Sequence, residues 1–149
     1  MTALDIDGDN NSLREMVSFY NATTYTVESN TQLTSQQVTA TVFGQQTLGR
    51  EFTAPLTSYA GISPTETRVM ASLRFTNKSF FRVRIGGKTG NQTSSEAERQ
   101  NSLWFRGLDF TTPVESTLPV KLSSFTATLN QGNADLKWVT SMEKKCEPF

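Results

Sequence analysis

The stretch Arg68-Val69-Met70-Ala71-Ser72-Leu73-Arg74-Phe75 (RVMASLRF) decides the fold class. Val69, Ala71, Leu73 and Phe75 occupy alternate positions, with Arg68, Met70, Ser72 and Arg74 between them. A period of two marks a half-buried strand, because successive side chains leave a strand on opposite faces. The run at positions 80–85 repeats the pattern, with Phe81, Val83 and Ile85 opposite Arg82 and Arg84. Positions 103–110 put Trp104, Arg106, Leu108 and Phe110 on one face. Upstream, Val17 with Phe19, Tyr25 with Val27, and Val38 with Ala40 and Val42 pair in the same way. Polar turns separate these runs, which predicts roughly eight strands before residue 112 at the spacing of a sandwich. The fold class expected is therefore all-β: an antiparallel β-sandwich, jelly-roll-like, over residues 1–112. Helix signals are few. A capping box at positions 93–96 gives at most one turn, inside a long loop expected over 86–100.

Composition agrees. The 149 residues are 36% hydrophobic and only 19% charged, with a formal net charge of zero. The polar balance is made up by Thr, Ser, Asn and Gln, the content of Thr-rich strands and polar turns rather than of a charged tail. Zero net charge gives no global attraction to nucleic acid or anionic lipid. The chain has no histidine and one cysteine, Cys146. Ser-His-Asp triads, Cys-His dyads and His-ligated zinc are thereby excluded, as is an internal disulfide. No apolar run approaches the roughly 20 residues of a membrane helix, so no membrane insertion is expected. The first twenty residues carry no apolar signal-peptide core.

A boundary is expected at Pro113. Residues 113–117 open a segment with two prolines in seven positions, Pro113 and Pro119, and read as a linker. Residues 118–149 then hold two strands around the turn Asn130-Gln131-Gly132-Asn133. Such a hairpin is marginal alone.

Four constellations could carry chemistry. Gly86-Gly87-Lys88-Thr89 ends like a phosphate loop, but the loop requires a glycine where Arg82 stands. Nucleotide is not expected, and the run reads as a turn at a strand end. Asp5, Asp7, Asp9 and Asn11 alternate in an Asx-rich turn and could hold structural calcium, a cation that seeks oxygen. The EF-type spacing fails, because Asn10 and Met16 stand where Gly and Glu belong. No other cofactor is expected. Third, Arg68, Arg74, Lys78, Arg82, Arg84 and Lys88 form a basic run without one acidic residue. Arg82 and Arg84, with Lys88, Trp104 and Arg106, are the candidate ligand-binding residues, suited to an acidic glycan or a partner protein's carboxylates; the alternative is a solvated outer face neutralised by acidic neighbours such as Asp5, Asp7 and Asp9. Fourth, Tyr20, Tyr25, Tyr59, Trp104 and Trp138 are candidates for a sugar-stacking platform, or for half-buried packing. For catalysis the one close carboxylate pair outside the Asp-rich turn is Glu96 with Glu98, and nothing places it around a substrate.

The C-terminal run LPVKLSSFTATLNQGNADLKWVTS resembles the start of an Ig- or fibronectin-like module common in exported Bacteroidota proteins. Leu118, Pro119, Val120, Leu122, Phe125, Ala127, Leu136 and Trp138 match its LPV-x-L-x-x-F-x-A…L-x-W pattern. The module commonly precedes a type IX secretion sorting domain, and by that resemblance residues 118–149 are the first strands of a truncated copy. The preceding part, including LDIDGDNNSLREMVSFYNATTYTVESNTQLT and RQNSLWFRGLDF, resembles a β-sandwich module found upstream of it in similar surface proteins. The resemblance implies an extracellular or cell-surface location. It also implies a non-enzymatic, structural or adhesive role alongside neighbouring domains of one longer chain. The alternative is a carbohydrate-binding module appended to an enzyme. The expected partners are a glycan or another surface protein, not nucleic acid.

Overall fold

A computed structural model describes residues 1–90, 99–118, 122–130 and 133–140. Eleven strands and one 3-10 turn at Thr67–Val69 make up its regular structure. The first compact unit, Met1–Leu118, holds nine of the strands. They are β1 (Thr2–Leu4), β2 (Leu13–Tyr20), β3 (Thr24–Glu28), β4 (Thr34–Val42), β5 (Gln45–Thr53), β6 (Ala71–Arg74), β7 (Arg82–Thr89), β8 (Ser102–Trp104) and β9 (Pro113–Thr117). They form two antiparallel sheets, in the orders β8-β1-β6-β3-β9 and β4-β5-β2-β7.

The pairing is nested. β4 pairs with β5, β3 with β6, β2 with β7 and β1 with β8, each ladder closing outside the one before. Successive ladders alternate between sheets, and neighbours join through β1–β6 and β2–β5. A long hairpin rolled over itself in this way is the jelly-roll plan of a sandwich.

The core is where the two sheets meet. Val17, Phe19 and Phe52 from one sheet pack with Ala3, Val27, Ala71 and Leu73 from the other. Phe19 and Phe52 are 0% and 1% exposed, each worth about 1.5–3 kcal/mol in burial alone. Tyr25 meets Phe52 edge-on across the sheets, rings 5.4 Å apart. Val69, Ala71 and Leu73 of RVMASLRF are all core, as the alternation predicts, although Met70 between them is fully buried as well. Its strand nevertheless begins only at Ala71. The carbonyls of Arg68 and Val69 accept bonds from the amides of Gln32 and Ile6, so this backbone serves loops rather than a ladder.

Three expectations change. The stretch 113–117, expected as a linker, is strand β9, paired along its whole length with β3 from Thr24↔Thr117 to Glu28↔Pro113. Proline suits this place because β9 is an edge strand. Glycines 86 and 87, expected in a turn, lie inside β7, opposite Met16 and Glu15. The strand predicted over 103–110 is only Ser102–Trp104. The capping box at 93–96, the pair Glu96 and Glu98, and Cys146 lie outside the described residues.

Glu28 fastens β9. Its carboxylate accepts the amides of Thr111 at 3.1 Å and Thr112 at 2.5 Å, and the Thr112 hydroxyl at 2.5 Å. These bonds, the Thr112 hydroxyl first, draw its pKa down to about 2. A lowered carboxylate pKa stabilises the fold above the unfolded value of 4.5 and loses that contribution as pH falls toward 2. Glu28→Gln is therefore expected to unfold at lower urea than the parent at pH 6. The gap should close between pH 4.5 and 2. A gap independent of pH would contradict this role for the charge.

The second unit, Pro119–Phe149, contributes the antiparallel pair β10 (Leu122–Asn130) and β11 (Asn133–Thr140). Phe125, Leu129 and Leu136 are exposed on it. The register pairs Phe125 with Trp138, Ala127 with Leu136 and Leu129 with Ala134, which places these positions on one face.

Candidate functional site

The first unit has two surfaces with chemistry to offer, at opposite ends of the sheet containing β2. One end gathers aromatic rings. Phe43 and Gly44 form the two-residue turn between β4 and β5, with φ of 50° and 77°. Positive φ at both centres suits the twist of a hairpin, but it favours Asn and Gly, and a bulky residue there is an outlier. Phe43 is 84% exposed and makes one edge contact, with Phe80 at 5.3 Å. Beside Phe80, Phe81 packs against Phe75 at 5.3 Å and Phe105 at 6.5 Å. Phe105 is 80% exposed.

Cations border these rings. The Arg82 guanidinium lies over Tyr20 at 5.7 Å and donates to the Thr41 carbonyl at 3.1 Å. Arg106 lies over Trp104 at 4.7 Å. Arg84 is exposed two residues along β7 from Arg82. No acidic residue occurs in the sequence between Glu66 and Glu96. Of the predicted ligand residues, Arg82 and Arg84 thus lie at or near this end. Trp104 and Arg106 flank Phe105, whose ring reaches Phe81. Lys88 does not join them. It stands six residues along β7, roughly 20 Å away, bound to Glu51 at 2.5 Å and to the Thr53 hydroxyl at 3.2 Å.

Lys88 belongs to the other surface, a hollow of about 610 Å³ lined by Ser12, Arg14, Thr34, Gln36, Thr53 and Lys88 among others. The register puts Arg14 beside Lys88 on the outward face of the sheet, in line with Ser18 and Glu51. Glu51 is buried beneath them and accepts bonds from Ser18 at 3.0 Å and Gln36 at 2.8 Å as well as from Lys88. Burial pushes its carboxyl up, but these donors outweigh it and hold the group below the usual glutamate range.

The Asp-rich turn does not gather its oxygens. Asp9 turns its carboxylate onto the amides of Asn11, Ser12 and Leu13 at 2.8–2.9 Å. The Asn11 amide is the first of the causes that lower its pKa. Asp7 is buried, accepts the Tyr59 amide at 2.5 Å and is ion-paired with Arg99. Asp5, in the left-handed region at φ 57°, is raised by burial and by Asp7. Among the described residues no three acidic side chains converge as metal ligands. The positive charge that Asp7 meets is a guanidinium.

Sequence reasoning missed Arg99 and its partners. The Arg99 side chain is 23% exposed and bonds Asp7, the Gly8 carbonyl at 2.9 Å and Glu15 at 2.9 Å, both carboxylates being 4% exposed. Burial raises the Glu15 pKa, against the opposing pull of Arg99. No local signal marks a pair separated by 84 residues. Of the other aromatics proposed for a sugar platform, Tyr20 is buried and Tyr25 and Tyr59 pack against the core.

Fold and surfaces together define an all-β sandwich unit with an aromatic, arginine-bordered end and a polar hollow. No family model, curated protein or solved structure matches the chain.

Proposed function

We infer that this chain is a non-enzymatic adhesive module of an exported or surface-bound protein, and that it makes contact through its aromatic end. One observation carries the reading. Phe43 is held in a strained backbone region, almost fully exposed, where packing returns it a single ring contact. Folding gains little from a phenylalanine there, whereas a contact surface gains an anchor. Exposed aromatic anchors bordered by arginine are the composition of binding hot spots. The buried carboxylates favour a non-catalytic role, because Asp7, Glu15, Glu28 and Glu51 are all engaged in structural bonds. The resemblance of residues 118–138 to a module of exported proteins supports the location.

Beads coated with the purified chain are expected to adhere to a bacterial outer-envelope preparation. The double variant Phe43→Ser, Phe105→Ser should lower adhesion about 10-fold or more while leaving the melting curve in place. Treating the envelope with protease or with periodate separates a protein partner from a glycan. Adhesion by the double variant equal to the parent's would remove the aromatic end from the reading.

A further inference from the structure

We propose that the hollow at the opposite end of the sheet is a binding site for a carboxylate-bearing saccharide, such as the uronic acid unit of an acidic glycan. This inference does not depend on the adhesive role of the aromatic end.

The hollow's volume, about 610 Å³, falls in the roughly 300–1,000 Å³ range of small-molecule sites. Its charge is defined by Arg14. The Lys88 ammonium is matched by Glu51 at 2.5 Å, but Arg14 has no ion-pair or side-chain hydrogen-bond partner among the described residues. Among the described residues, then, one guanidinium without a counter-ion lines the hollow. Its planar fork fits a carboxylate through two parallel N–H donors.

The remaining lining fits a polyol. Thr34 and Thr53 bring hydroxyls: that of Thr34 donates to the Thr53 carbonyl at 3.4 Å and keeps its lone pairs for a sugar, and that of Thr53 accepts from Lys88 at 3.2 Å and keeps its proton to donate. The Gln36 amide nitrogen is committed to Glu51 at 2.8 Å, which fixes the side chain and leaves its carbonyl oxygen to accept from a sugar hydroxyl. Leu56, 39% exposed in the same lining, offers an apolar surface for the C–H face of a ring.

Ser12 supplies a separate sign. Its hydroxyl is the one buried side-chain polar atom without a hydrogen-bond partner among the described residues. Its backbone is fixed, the amide on Asp9 and the carbonyl accepting from Gly90. An unmet buried hydroxyl is costly in a folded protein and calls for a partner. Ser12 lines the hollow, so a rotation about its χ1 offers that hydroxyl to a bound sugar.

Isothermal titration of the full chain tests the site, using trigalacturonate and a hyaluronan tetrasaccharide as acidic probes. The fully methyl-esterified trigalacturonate removes charge and keeps the ring hydroxyls. Acetate supplies a carboxylate without a sugar. Saturable binding of at least one acidic probe is expected, weakened about 10-fold by esterification and about 10-fold by Arg14→Ala. Arg14 is exposed, so the variant should keep the parent's melting temperature, and Phe105→Ser should bind as the parent does. The proposal fails if neither acidic probe saturates at millimolar concentration, or if the ester binds as tightly as the acid. It also fails if acetate matches the oligosaccharides, if Arg14→Ala leaves affinity unchanged, or if Phe105→Ser abolishes binding.

Discussion

Arg99→Ala is expected to destabilise the first unit by about 3–5 kcal/mol at neutral pH, the penalty for stranding buried charge. Two carboxylates depend on that guanidinium, and both are almost fully buried. Alanine leaves Asp7 and Glu15 close together without a counter-ion, and the Gly8 carbonyl without its donor. The pH dependence identifies the mechanism. Glu15 already sits above its ordinary value of 4.5 because burial disfavours its charge. A raised carboxylate pKa stabilises the fold below the unfolded value and loses that contribution as pH rises through the folded one. Loss of Arg99 takes away the opposing pull, so the deficit should be largest near neutrality and shrink as pH falls toward 4.5. Arg99→Lys should lie between the two, since a single ammonium cannot reproduce a fork that reaches both carboxylates. Urea denaturation of the three proteins at pH 7 and pH 4.5 measures this. A deficit that does not change with pH would mean that Arg99 acts by packing alone.

Gly8→Ala should be the second most damaging of the substitutions considered. A Cβ at this position would lie 2.2 Å from the Leu56 carbonyl oxygen and 2.6 Å from that of Pro55. Both are backbone atoms, and the two segments cannot separate freely because the Gly8 amide donates to the Thr57 carbonyl at 2.8 Å and the Asn10 amide to the Leu56 carbonyl at 2.7 Å. Overpacking of this kind costs about 1–3 kcal/mol. Gly107→Ala is the matched control, since nothing lies within 4 Å of its would-be Cβ, and it should change stability by less than about 0.5 kcal/mol. Equal melting temperatures for the two variants would show that the segment around Leu56 yields. In DIDGDNN, then, the glycine answers a close backbone crossing.

What was legible in the sequence follows from what is local. Alternation in RVMASLRF and in the Val17–Phe19 stretch located strands and core, because burial on one face writes a period of two into the chain. Val114 and Ser116 carry no such pattern. β9 is an edge strand held by backbone ladder bonds and by Glu28, and neither shows in side-chain hydrophobicity. The prolines that suggested a linker are equally at home on an edge. Candidate residues fared the same way. Arg82, Trp104 and Arg106 were legible as residue types, and the Phe81–Phe105 contact that relates their strands needed the fold. Lys88 looked like one more member of the basic run until Glu51, 37 residues away, took its charge. Arg99 was invisible because each of its partners lies more than 80 residues back in the chain.

The nested ladders also bear on the order in which this fold comes together. Taken singly, the outer pairings are remote: Tyr25 must find Leu73, 48 residues on, and Ala3 must find Leu103, 100 residues on. From an open coil, doubling the loop adds only about 0.6 kcal/mol, but every such closure must be searched for. Nesting shortens the search. Once the Phe43–Gly44 turn closes β4 on β5, β3 and β6 have only the connections 29–33 and 54–70 left to cross, and each ladder in turn brings the next pair of strands nearer. The nesting thus favours assembly from the middle outward, an order in which the first strand is among the last to be placed.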